Sequence, residues 1–159
     1  MVVRPARSED IARIIPIVME YERESASYLS EEYRAIRRTK EPLDEHLARS
    51  LEHEIARADA RFLVYEDGGS IVGYAHGMVR DDTHMVYDRP RSGEFSELAV
   101  LPSHRGRGIA SALWGGLLDW FREEDCVFVT LSVNANNQAR AIYEKWGFDE
   151  FYVRMIKKL

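Results

Sequence analysis

The chain has one cysteine, Cys126, in 159 residues. An intrachain disulfide is thereby excluded, and a reducing cytoplasm is the expected setting. No apolar run approaches the roughly 20 residues that a membrane span needs. The start, Val2-Val3 with acidic residues soon after, does not read as a signal peptide. A basic excess is also missing. The 27 acidic and 22 basic residues leave a formal net charge of −5. That disfavours a general nucleic-acid binder, while leaving room for a local basic pocket. The five histidines lack zinc-ligand spacing, so no metal is expected. No internal repeat, low-complexity tract or linker divides the chain. Hydrophobic residues make up 45% of it. Length and composition therefore predict a single domain over 1–159 with a sizeable core.

Residues 2–6 read as a first strand. Ser8 suits the N-cap of a helix through Ile11, Ile14, Ile15 and Val18, which Pro16 should bend or loosen. Residues 20–41 carry Glu20, Glu22, Glu24, Glu31 and Glu32, then Arg34, Arg37, Arg38 and Lys40, and predict helix fragments and a loop. After Pro42, the series Leu43, Leu47, Leu51, Ile55 marks one face of a helix. Strands are expected at Arg61–Glu66 and Ser70–Val79, joined by Asp67-Gly68-Gly69 as a hairpin. A polar loop over 81–93 leads to a strand at Phe95–Leu101. A helix burying Ile109, Leu113, Leu117 and Phe121 follows. Then come a strand at Val127–Val133, a helix at Asn137–Trp146 and a final strand at Phe151–Ile156. Hairpins imply antiparallel pairing, and the strand–helix–strand part implies parallel pairing. The class is α/β with a mixed, mostly antiparallel sheet flanked by helices.

Residues 97–113 place a strand, a basic glycine-bearing loop and a helix start in succession. Such a loop aims backbone N–H groups at one spot, and the helix adds its positive dipole end. Arg105 and Arg107 add charge, while Gly106 and Gly108 let an anion approach the backbone. Phosphate is the natural guest. A dinucleotide loop would need Gly or Ala where Ser111 stands, and the P-loop pattern is absent. Arg105-Gly106-Arg107-Gly108-Ile109-Ala110 instead resembles the pyrophosphate loop of the GNAT superfamily, the acyl-coenzyme-A-dependent N-acetyltransferases. Asn136, Ala139, Tyr143, Gly147 and Phe148 are similarly placed to that family's second motif. The opening Val2-Val3-Arg4-Pro5-Ala6 and Asp10 look like its start.

The resemblance implies acetyl-CoA as cosubstrate. Two parallel strands, 95–101 and 127–133, would splay and admit the pantetheine arm. Leu98, Ala99 and Val100 would contact it through backbone groups. Arg105, Gly106, Arg107, Gly108, Ile109, Ala110 and Ser111 would hold the pyrophosphate. Asn136 matches a cofactor-contacting asparagine, and it also suits an N-cap. Trp114, Trp120 and Trp146 suit packing or the contacts of a homodimer.

Acetyl transfer needs a neutral amine and a proton for the leaving thiolate. An alkyl amine has a pKa of about 10.4, so neutralising it at pH 7 costs about 4–5 kcal/mol. A peptide α-amine, with pKa about 8, needs less help. Glu97 resembles the family's general base. Alternation puts it on one sheet face with Phe95 and Ala99, and a structural carboxylate is its other reading. Glu94, His76 and His84 are further base candidates. Tyr143 resembles the general acid, because a phenol keeps its proton at neutral pH; core packing is its other reading. Cys126 reads as a small packed residue rather than a nucleophile. The expected function is acetyl transfer to a primary amine of unidentified type, with a non-catalytic acetyl-CoA-binding module as the alternative. The acidic group from Glu20 to Glu32 reads either as an attraction for a cationic amine or as a solvated helix face.

Overall fold

A computed structural model describes residues 2–36, 42–81, 85–86 and 88–157; His84 lies outside them. The elements run β1 (Val2–Pro5), α1 (Ile11–Ser27), α2 (Glu31–Ile36), α3 (Leu43–Ala56), β2 (Ala60–Asp67), β3 (Ser70–Arg80), β4 (Ser92–Val100), α4 (Ile109–Glu123), β5 (Phe128–Leu131) and α5 (Arg140–Lys145). The strands form one five-stranded sheet in sequence order. The first three pairings are antiparallel, and β4 pairs with β5 in parallel. The β2–β3 hairpin turns at Gly68 and Gly69, both at positive φ, as a two-residue turn of this twist requires.

Both faces of the sheet are covered. Phe62, Val64 and Tyr74 pack against Ile14, Ile17 and Val18 of α1 and Leu51 of α3. Leu63, Ala75, Val79 and Phe95 pack against Leu113, Leu117 and Phe121 of α4. This is why β2 carries apolar residues at consecutive positions rather than alternating with polar ones. Each such side chain contributes about 1.5–3 kcal/mol on burial. Phe121 lies against Gly77 and Gly93, where an added Cβ would stand 2.6 and 2.7 Å from its ring.

The first helix starts differently from the sequence reading. A 3-10 turn over Ser8–Asp10 precedes α1, and Asp10 rather than Ser8 supplies the hydrogen-bonding side chain. Asp10 accepts from the Arg7 N–H at 2.9 Å and from both terminal nitrogens of Arg4 at 2.7 and 2.9 Å. Arg4 also reaches Glu66, so one guanidinium ties β1, β2 and the helix start together. The Arg4 hydrogen bonds hold the Asp10 carboxyl below its usual range. Pro16 lies inside α1, which runs through it.

The final strand expected over Phe151–Ile156 is not formed. Those residues have no regular structure, and Phe151, Tyr152, Val153 and Met155 are exposed. The β-branched and aromatic run Phe151-Tyr152-Val153 suits a strand, but no ladder satisfies its backbone groups. The strand expected over 127–133 is shortened to β5, and the helix expected over 137–146 is shortened to α5.

Candidate active site

β4 is nine residues long, yet it pairs with β5 only from Ser92↔Phe128 to Phe95↔Leu131. Beyond Phe95 the two strands part. A cleft of about 740 Å³ opens there, lined by β4 from Phe95 to Val100, by α1, by the start of α4 and by the segment from Leu131 into α5.

At one wall is the glycine-bearing loop. Gly106 and Gly108 have φ of +74° and +78°, and an added Cβ at either would meet no heavy atom within 4 Å. Backbone conformation, not crowding within the protein, thus calls for glycine. Gly108 caps α4, whose first-turn N–H groups have no partner inside the helix. Gly106, Gly108, Ile109, Ala110 and Ser111 line the cleft, as do Leu98, Ala99, Val100 and Arg105. Arg107 does not line it; its guanidinium pairs with Asp67 at 3.2 Å. Arg105 donates through Nε to the Val100 carbonyl at 3.0 Å and grips Glu24 of α1 at 2.5 Å. That contact lowers the Glu24 pKa, and Tyr28 donates to the same carboxylate at 3.1 Å.

Glu97 enters the cleft on the face covered by α1 and α3. The alternation reading placed Phe95 on that face with it, and a β-bulge overturns this. Glu97 stands opposite His76, and Phe95 opposite Gly77, the next residue, so Ser96 is the extra one. Phe95 therefore packs under α4, while Ala99 packs on the α1 side. The Tyr74 hydroxyl donates to Glu97 Oε2 at 2.9 Å. Burial raises the Glu97 pKa, the Tyr74 bond opposes that, and Glu22 and Glu54 add to it. Of the other base candidates, Glu94 is bound to Arg80 at 2.7 Å. His76 is buried, stacks on Phe62 and lies 3.4 Å from Glu54. Its burial lowers its pKa.

Tyr143 reaches the cleft from α5 and meets Phe95 edge-on, with ring centroids 6.1 Å apart. Burial raises its pKa, so the phenol stays protonated at neutral pH. The residues after it explain the second motif physically. The Phe148 N–H donates to the Tyr143 carbonyl and the Gly147 N–H to the Glu144 carbonyl, each at 3.0 Å. With Gly147 at φ +88°, this is the Schellman helix stop that ends α5. Phe148 then packs on Trp114, which stacks on Trp146. Trp114 and Trp120 are buried in the core, while Trp146 packs half-buried against it and lines the cleft.

Asn136 is not among the residues lining the cleft; Asn134 and Asn137 are. Asn136 does not cap α5 either: the N-cap position is Ala139, with no side-chain cap bond, and in the turn before it Asn137 Oδ1 accepts from the Ala139 N–H at 2.8 Å. Cys126 is half-buried beside the α4 core, and burial raises its pKa. Among the described residues no group of three His, Cys, Asp or Glu could hold a metal, and no helix is long and apolar enough to cross a membrane.

Two parted parallel strands and an N–H-rich helix start on one cleft are matched by sequence. Residues 22–148 match the Acetyltransferase (GNAT) family. The chain belongs to this family. It is 37% identical over 57 residues to a [ribosomal protein bS18]-alanine N-acetyltransferase of Haemophilus influenzae, a match covering 36% of this chain and 39% of that protein. The chain thus spans about two fifths of that relative. It is 30% identical over 112 residues to an aminoglycoside N(6')-acetyltransferase type 1 of Salmonella typhimurium, covering 69% of this chain and 75% of that one. Among solved structures, a predicted acetyltransferase from Clostridium acetobutylicum with acetyl-CoA superposes with a TM-score of 0.75 at 19% identity, covering 98% and 95% of the two chains.

The sequence reading missed Tyr74 and Tyr28. Neither lies in a motif, and their partners, Glu97 and Glu24, are 23 and 4 residues away.

Proposed function

We propose that this protein transfers the acetyl group of acetyl-CoA to a primary amine. One observation carries the reading: Glu97 and Tyr143 reach a single cleft from opposite faces of the parted strands, beside the α4 start. The residues fit the cosubstrate. Helix-start N–H groups and the Gly106–Gly108 backbone suit a pyrophosphate, and β4 beyond Phe95 has no strand partner on the cleft side. Leu98, Ala99 and Val100 would hold the pantetheine arm. Arg105 through Ser111 would hold the phosphates, with Arg107 needing to leave Asp67. Acetyl-CoA supplies the activated thioester. Glu97 takes a proton from the amine as its nitrogen bonds to the acetyl carbon, and Tyr143 Oη gives one to the departing sulfur. A carboxyl of raised pKa is a better base for this step than an exposed one.

The acceptor enters on the α1 side. Glu20 and Glu24 line that wall, but Arg23 and Arg105 already pair with them. The wall is therefore less negative than the sequence suggested, and both alkyl amines and peptide α-amines remain in the acceptor class. The lone Cys126 supports a cytoplasmic setting. The exposed apolar stretch Phe151–Ile156 supports a homodimer, which light scattering tests.

The test is thiol release from acetyl-CoA over a panel of aminoglycosides, polyamines and alanine-ended peptides, followed by pH–rate profiles of wild type and Glu97→Gln. For an alkyl amine, the loss in kcat/KM should shrink as pH rises and the amine deprotonates unaided. No thiol release with any amine would leave a binding module. Profiles without loss at any pH would leave Glu97 a structural carboxylate.

A further inference from the structure

The bulge at Ser96 does more than reverse a side chain. It carries Glu97 to the face where Tyr74 stands, on the neighbouring strand. Tyr74 has no solvent exposure and stacks on Phe62 with centroids 5.1 Å apart. Its hydroxyl therefore has little freedom to move, and it donates to one carboxylate oxygen, Oε2. Among the described residues, Oε1 has no hydrogen-bond partner, and Glu97 lines the cleft.

We propose that Tyr74 is a positioning residue for Glu97: its hydroxyl holds Oε2 and so makes Oε1 the oxygen that receives the amine's proton. This rests on the reading of Glu97 as base. The geometry also sets the readiness of the base. The titratable and charged groups around it are Tyr74 and His76 from β3, Tyr21 and Glu22 from α1, and Glu54 with Arg57 from the α3 end. Of those acting on Glu97 itself, the Tyr74 hydroxyl favours the carboxylate, whereas burial, Glu22 and Glu54 oppose it. Tyr74 thus favours the carboxylate form of a half-buried acid without occupying the oxygen that works.

Tyr74→Phe removes the hydroxyl and leaves the stacked ring. The Glu97 pKa should then rise by about one unit, since hydrogen bonds to charged groups are the stronger kind. Protein labelled with 13C at glutamate carboxyls gives the readout by NMR titration, with the resonance lost in Glu97→Gln assigning the residue. A midpoint about one unit higher in Tyr74→Phe, followed by the acid limb of kcat/KM for the panel amine with the fastest thiol release, supports the proposal. An unmoved or lowered midpoint overturns it through Tyr74. A raised midpoint with an unmoved limb overturns it through the base reading instead. The wild-type protein offers a measurement independent of any variant's folding. Its buried Tyr74 hydroxyl proton should exchange slowly and shift with the Glu97 midpoint, and absence of that coupling also overturns the proposal.

Discussion

Gly108 allows the charge preference of the loop to be separated from its backbone demand. The residue sits at φ +78°, and a Cβ there meets nothing within 4 Å. An alanine would therefore cost about 1–2 kcal/mol of left-handed backbone strain and no clash. Asparagine and aspartate tolerate that conformation comparably. Gly108→Asn and Gly108→Asp thus share strain and size and differ by one negative charge. If the pyrophosphate lies against this loop, that charge stands roughly 5 Å from a phosphate. Repulsion between unit charges at that distance is about 0.8 kcal/mol in water-like surroundings and about 3 kcal/mol at an effective dielectric of about 20. The Kd for acetyl-CoA should then be roughly 4-fold to about 150-fold weaker for Asp than for Asn. The ratio should fall as salt rises toward 1 M. Isothermal titration at two ionic strengths reads both effects, and unfolding midpoints of the two variants check that strain is matched. Equal Kd values for equally stable variants would refute the placement of the phosphates.

Tyr143→Phe should lower kcat on the order of 10²–10⁴-fold with little change in the acetyl-CoA Kd, because the ring and its Phe95 contact stay; unchanged single-turnover rates would remove the acid role. Glu24→Gln frees Arg105 from a partly exposed pair worth about 0–1 kcal/mol, so acetyl-CoA should bind up to about fivefold tighter by titration. Weaker binding would mean that Arg105 serves the cofactor while held by Glu24. Asp10→Ala removes a buried carboxylate from Arg4 and from the Arg7 N–H, and should cost about 2–4 kcal/mol in urea unfolding. The folded pKa of Asp10 is depressed, so its contribution is present above the unfolded pKa of about 3.9 and is lost as pH falls through the folded value. The variant's deficit should therefore narrow in acid; a deficit that is constant down to pH 2 would contradict the ion-pair account.

Local chemistry determined much of this protein. Glycines at Gly106 and Gly108 before an apolar helix, and Tyr143 followed by Gly147-Phe148, depend on backbone geometry within a few residues. The loop was therefore legible without the fold, as was the end of the last helix near Trp146, although the Schellman stop at Gly147 was seen only in the structure. The hairpin at Gly68-Gly69 and the apolar face of α3 were legible for the same reason. Tertiary structure decided everything that depends on which strand lies beside which. The extra residue at Ser96 changes the facing of Glu97, and single-strand alternation carries no signal for a bulge set by pairing with β3. Nor does the basic loop reveal that Arg105 and Arg107 are each engaged by a carboxylate, since Glu24 and Asp67 lie 81 and 40 residues away. The strand-like pattern of Phe151–Ile156 shows the converse. Apolar side chains describe what a strand could bury, but a strand exists only where a neighbour accepts its hydrogen bonds.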